Sequence, residues 1–136
     1  MRIQLQWDQS LKIGVAAMDR DHERLVNAMA VIDELDTKKA GKGAIKGAID
    51  KLAALVVAHF QAEEAYMQSI DFPGLAVHKR IHEDLLQNFT KHKAAYEKGD
   101  GSVTDDFHNF LVCWLRAHIK GIDAKYAEHK TPVKSR

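Results

Sequence analysis

The sequence has a single cysteine, no apolar run of membrane-spanning length and no real surplus of either charge, and each absence removes a class of function. One cysteine, Cys113, cannot form an internal disulfide, so nothing in the chain calls for an oxidising compartment. No stretch approaches the ~20 consecutive apolar residues that a membrane helix needs. Polar residues also interrupt the opening MRIQLQWDQSLKIG before a signal-peptide core could form. The expectation is a cytoplasmic protein without stable membrane association. The 20 basic residues nearly cancel the 19 acidic ones, leaving +1. Without the basic excess that concentrates phosphate backbones around a protein, nucleic acid is not an expected partner.

What remains is an ordinary globular balance, 46% hydrophobic and 29% charged over 136 residues. That length suits one domain, here taken as 1–136, with one sizeable core, and a monomer is expected. Residues 1 to about 17 read as an arm, anchored by Trp7, Leu11, Ile13 and Val15, with Gly14 discouraging a long helix. Apolar residues then recur every three or four positions and predict helices over about 19–37, 44–68, 75–97 and 104–126. Asp19 or Asp21 can serve the first turn of the first helix. The Gly- and Lys-rich segment after Thr37, the Pro73 loop and the Gly99-Asp100-Gly101-Ser102 turn separate the helices. The predicted fold is all-α, an up-down-up-down four-helix bundle with an N-terminal arm.

The chemical signal lies on the inner stripes of these helices. His22, His59, His78, His82 and His118 all fall on faces assigned to the core. One buried histidine is ordinarily a hydrogen-bonded core residue. Several without partners would each cost roughly 1–3 kcal/mol in desolvation, whereas neutral imidazole is a good metal ligand. His59 and Glu63 are four apart and share a helix face, as do His78 and His82. Glu63 continues the Val56–His59 stripe, and an inward carboxylate is tolerable if it meets cations. Its neighbour Glu64 is read as a surface charge. Asp123 follows His118 by five residues, about 140° round a regular helix, so periodicity alone turns it away from the core centre.

The ordered set of segments resembles the hemerythrin family, especially its single-domain bacterial members. The resemblance rests on Gly14-Val15 and Met18-Asp19-Arg20-Asp21-His22, on His59-Phe60-Gln61-Ala62-Glu63-Glu64, on Phe72-Pro73 and His78-Lys79-Arg80-Ile81-His82, and on Trp114-Leu115-Arg116-Ala117-His118-Ile119 with Asp123. It implies two iron ions with a bridging oxo or hydroxo group. By that resemblance His78, His82 and His118 would bind one iron, His22 and His59 the other, and Glu63 and Asp123 would bridge them. The second iron would then keep a vacant position for dioxygen. Leu25, Phe60, Trp114, Leu115 and Ile119 would line the oxygen pocket, a role compatible with ordinary core packing.

The function implied is reversible dioxygen binding for carriage, storage or local delivery, without catalytic turnover, with a reductase or oxygen-consuming partner in prospect. A diiron peroxidase or oxidase, or oxygen and redox sensing through the Trp7 arm, are the alternatives. Cys113 reads as a small helix residue, His92, His108 and His129 as non-ligands, and Glu23, Arg24, Arg80 and Asp84 as solvated charges.

Overall fold

The three- and four-residue spacing of apolar side chains becomes helix along residues 9–128, the part of the chain that the computed structural model describes. A 3₁₀ turn at Gln9–Leu11 leads into α1 (Ala16–Thr37), α2 (Lys42–Ser69), α3 (Leu75–Lys98) and α4 (Asp105–Ala117). The last rod then changes its hydrogen-bond pattern to a π-helical segment at His118–Asp123 and ends in the short α5 (Ala124–Glu128). The fourth helix was expected to run unbroken over 104–126. Helical structure does continue to Glu128, but with a change of winding at His118.

Local chemistry accounts for the ends. Val15 precedes α1 without a side-chain cap, and Asp19 in the first turn does the tethering instead. Its carboxylate accepts from the Ile13 amide at 2.8 Å and the Gly14 amide at 3.2 Å, which folds the end of the arm back onto the helix. Gly14 sits at φ +90°, where a side chain would be strained. Thr104 caps α4 by accepting from the Phe107 amide at 3.1 Å, and Asp105 and Asp106 follow in the first turn, where negative charge suits the helix dipole. Short connections fold the rods together, so that α1 packs on α2, α2 on α3, and α4 on α1.

Two apolar clusters result. The larger includes Leu25, Val26, Ile49, Val56, Phe60, Leu111 and Leu115 and fills most of the bundle. The smaller joins Met18, Met67 and Tyr126, with Ile13, Val15 and Phe72 packed against it at one end. Along α1 the order is Met18, His22, Leu25, and along α2 it is Val56, His59, Glu63, Met67. A layer of buried histidines and acids therefore lies between the two clusters. Leu11 of the arm is buried; Trp7 lies outside the described residues. No helix among the described residues is long and apolar enough to cross a membrane.

Candidate metal centre

Each of the first three helices contributes to the polar layer from its inner stripe: His22 from α1, His59 and Glu63 from α2, His78 and His82 from α3. His118 and Asp123 come from the two ends of the π-helical segment. All seven are buried, with Glu63, Asp123 and His22 fully enclosed. Their ligand-type atoms fall into two groups, each within 4.8 Å: Glu63, His78, His82, His118 and Asp123 in one, and His22, His59, Glu63 and Asp123 in the other. The two acids belong to both.

The contacts show how they divide. Glu63 Oε1 lies 3.0 Å from His82 Nε2 and 3.6 Å from His78 Nε2, while Oε2 lies 3.2 Å from His59 Nε2 and 3.4 Å from His22 Nε2. Asp123 repeats the division, with Oδ1 at 2.9 Å from His118 Nε2 and 3.0 Å from His78 Nε2, and Oδ2 at 3.0 Å from His22 Nε2. The two oxygens of Glu63 thus divide the imidazoles three to two, with His118 at 4.0 Å the third on the Oε1 side, and the two oxygens of Asp123 divide His78 and His118 from His22.

Asp123 reaches this layer because the segment that carries it is not an α-helix. An i→i+5 pattern brings residues five apart to nearly the same face, much as i and i+4 lie in a regular helix, and so largely removes the 140° offset. Periodicity reckoned at 3.6 residues per turn could not see this.

Many of the converging atoms have no hydrogen-bond partner among the described residues. Nε2 of His22, His59 and His82, Oε1 of Glu63 and both Asp123 oxygens are buried and unsatisfied. His78 Nε2 and His118 Nε2 point at each other across 3.2 Å. Buried polar groups are ordinarily paired, so a set of unsatisfied nitrogens and carboxylate oxygens aimed at common points fits divalent cations of the kind that accept imidazole and carboxylate together. Without cations, protons take their place. Burial pulls the His22 and His78 rings down, but the facing Asp123 and Glu63 oxygens outweigh it and push both up to about 9. Burial likewise opposes a shift at Glu63, yet four surrounding imidazoles hold its carboxyl well below the usual range. Asp123 is lowered in the same way, chiefly by His118, His22 and His78 against burial.

Three contributors were not legible in the sequence. Tyr126, fully buried, donates from its hydroxyl to Glu63 Oε2 at 2.7 Å. Burial, and then the charges of Glu63 and Asp123, raise its phenol so that the proton stays on. Asp21 accepts from His59 Nδ1 at 3.0 Å, rather than serving the helix turn that Asp19 serves. Glu64, expected to be a surface charge, is half-buried and lies 2.9 Å from His82 Nδ1. Helix phase sent it outward, but the neighbouring helix comes close enough for its carboxylate to reach across. The only available signal was position, since Asp21 and Glu64 each adjoin a residue of the inner layer.

Leu25, Phe60, Trp114, Leu115 and Ile119 are all buried in the larger apolar cluster. Phe60 lies flat on His82 at 3.7 Å, farther from His59 at 6.2 Å, with Trp114 edge-on to it at 6.0 Å. His92 stacks on Phe107 and Phe110, and His108 lies 3.7 Å from Asp33, so neither joins the layer. His129 is outside the described residues, and Cys113 is exposed.

Comparison with known proteins points the same way as the geometry. The family model described as hemerythrin HHE cation binding domain matches residues 13–129. A bacteriohemerythrin from Stenotrophomonas maltophilia is 28% identical over 124 residues, covering 91% of this chain and 80% of the relative. A hemerythrin-like protein from Naegleria gruberi is 32% identical over 120 residues, with 88% of each chain covered. A myohemerythrin from Riftia pachyptila has the same identity and coverage.

Proposed function

The chain belongs to the hemerythrin family, and from that premise we propose that it binds dioxygen reversibly at a pair of iron ions, as a carrier, store or local source of oxygen without catalytic turnover. His78, His82 and His118 would hold one iron, His22 and His59 the other, with Glu63 and Asp123 spanning both and an oxo or hydroxo group completing the bridge. The observation that carries this reading is the unequal division of one shared layer. Five residues converge on one side and four on the other, with the same two carboxylates in both groups. The side with fewer donors is the one left to take up an external ligand.

When bound, two ferrous ions supply the pair of electrons that dioxygen accepts and later returns. The chain's residues must keep that exchange reversible, which means holding two metals at fixed separation and withholding protons and water. Glu63 and Asp123 serve the first need, because each is fully buried and held by contacts on both sides. Tyr126 fixes Glu63 further and keeps its own proton on the carboxylate side of the layer. Leu25, Leu115 and Ile119, each nearly inaccessible, serve the second by placing hydrocarbon over the layer. This apolar cover favours carriage over peroxidase or oxidase chemistry, which would require acid–base groups positioned for turnover.

Anaerobic loading with two ferrous ions per chain, followed by cycles of oxygen addition and removal under visible absorption, tests the reading. A spectrum that appears and disappears reversibly is expected. Failure to bind two metals, or oxidation that cannot be reversed by removing oxygen, would overturn it.

A further inference from the structure

Beyond the residues that face the metals, two carboxylates stand behind them. Asp21 Oδ2 lies 3.0 Å from His59 Nδ1, and Glu64 Oε2 lies 2.9 Å from His82 Nδ1. An ionised carboxylate only accepts, so each bond places a proton on Nδ1 and leaves the Nε2 lone pair directed into the layer. The arrangement crosses helices. Asp21, on α1 beside His22, holds a ring of α2, and Glu64, on α2 beside Glu63, holds a ring of α3.

The two sides do not depend equally on these supports. The side with three imidazoles has His78 and His118 as well as the ring that Glu64 holds. Among the described residues the other side has only His59 and His22, and His22 Nδ1 is buried with no hydrogen-bond partner there. His59 is therefore the one ring of that pair whose tautomer and orientation are set by a carboxylate.

We infer that Asp21 and Glu64 are positioning residues with separate territories, and that Asp21 is the determinant of metal retention on the two-histidine side. This rests on the reading of His22, His59, His78, His82 and His118 as ligands. A ring anchored through Nδ1 is a better-oriented and more basic donor, and outer partners of this kind commonly affect metal affinity 10- to 100-fold. Loss of the Asp21 support leaves two untethered rings to hold one metal. Loss of Glu64 releases one ring on a side that keeps three imidazole donors. Asp21 also lies 3.6 Å from Arg24, whose side chain is 68% exposed. The carboxylate that governs the two-histidine side is thus the one within reach of a surface cation.

The test compares Asp21→Asn and Glu64→Gln, both nearly isosteric, in the full chain loaded with zinc, which takes the same ligand types and binds no oxygen. Release of zinc to an excess of chelator is followed in time, and ¹⁵N spectra of the imidazoles assign each phase to His59 or His82. The wild type should bind two zinc ions. Asp21→Asn should accelerate the His59 phase about 10- to 100-fold and leave the His82 phase unchanged. Glu64→Gln should accelerate the His82 phase by a smaller factor and leave the other unchanged. In the metal-free wild type the His59 Nδ1 proton should be slow to exchange, and in Asp21→Asn fast, a signature that simple destabilisation would spread over all the rings. Equal acceleration of both phases by either variant, or none by Asp21→Asn, overturns the inference while leaving the two-metal reading intact. A wild-type chain that binds fewer than two zinc ions, or whose His59 Nε2 signal ignores zinc, overturns both.

Discussion

At the scale of single residues, the polar layer depends on side chains that neither face a metal nor announce themselves by spacing. Tyr126 is the clearest, since its hydroxyl gives the fully buried Glu63 a short hydrogen bond from outside the imidazole set. Hydrogen bonds to charged groups are worth about 1.5–3 kcal/mol, so Tyr126→Phe should lower the stability of the metal-free protein by about that amount. Urea denaturation at neutral pH reads it directly, and a variant as stable as the wild type would show that Glu63 does not need this donor. Leu115 tests the apolar cover instead. It is buried in the larger cluster beside Trp114 and Ile119, and Leu115→Asn would bring a donor and water toward the layer. The expected result is faster conversion of the oxygen-loaded protein to its ferric, non-binding state, followed by absorption in air; an unchanged rate would remove Leu115 from the pocket. The five histidines and Glu63 were legible because each continues an apolar stripe, so phase alone aimed them inward. Asp21, Glu64 and Tyr126 were not, because their partners sit on other helices, and a one-dimensional pattern says nothing of which carboxylate will lie beside which ring.

At the scale of elements, the informative feature is the change of winding at His118–Asp123. The four rods could be read from the three- and four-residue spacing, with ends displaced by at most a few residues. The π-helical segment could not, because that reading assumes a constant 3.6 residues per turn. A π turn amounts to one extra residue accommodated within an α-helix. Gly121 is an exposed residue inside it, and even an added Cβ there would meet nothing within 4 Å. Deleting Gly121 should therefore let the segment close as ordinary α-helix, with histidine and aspartate four apart, the same spacing as His59 and Glu63. Metal content should stay at two per chain. Inserting one alanine after Gly121 should instead carry Asp123 and Tyr126 out of the layer and reduce the content to one or none. Metal analysis of the two variants decides the matter, and equal loss in both would mean that the π geometry itself, rather than the direction it gives Asp123, is required.

At the scale of the whole molecule, the layer couples folding to protons and metals through the same atoms, and the signs can be worked out. In the metal-free protein the folded-state pKa of His22 and of His78 is raised from 6.5 to about 9, and that of His59 is raised as well. Raised imidazoles contribute stability that is fully present below pH 6.5 and is lost as pH climbs toward about 9. Glu63 and Asp123 are lowered, so their contribution is present above the ordinary carboxylate values of 4.5 and 3.8 and is lost as pH falls further. The metal-free chain should therefore be most stable between about pH 4.5 and 6.5 and should melt at progressively lower temperature from pH 6.5 to 9. Metal ions require neutral imidazoles, so loading at pH 7 must expel the protons that His22 and His78 hold. Affinity then rises with pH over the window in which the metal-free fold weakens, and the two melting curves should diverge. Circular dichroism melts in steps from pH 5.5 to 9.5, with and without metal, measure the divergence. Calorimetric titration in buffers of different ionisation enthalpy counts the protons released. A metal-free melting temperature that climbs between pH 6.5 and 9, or loading without proton release at pH 7, would mean that the paired acids do not hold protons on these rings, and that the unsatisfied atoms of the layer balance their charge in some other way.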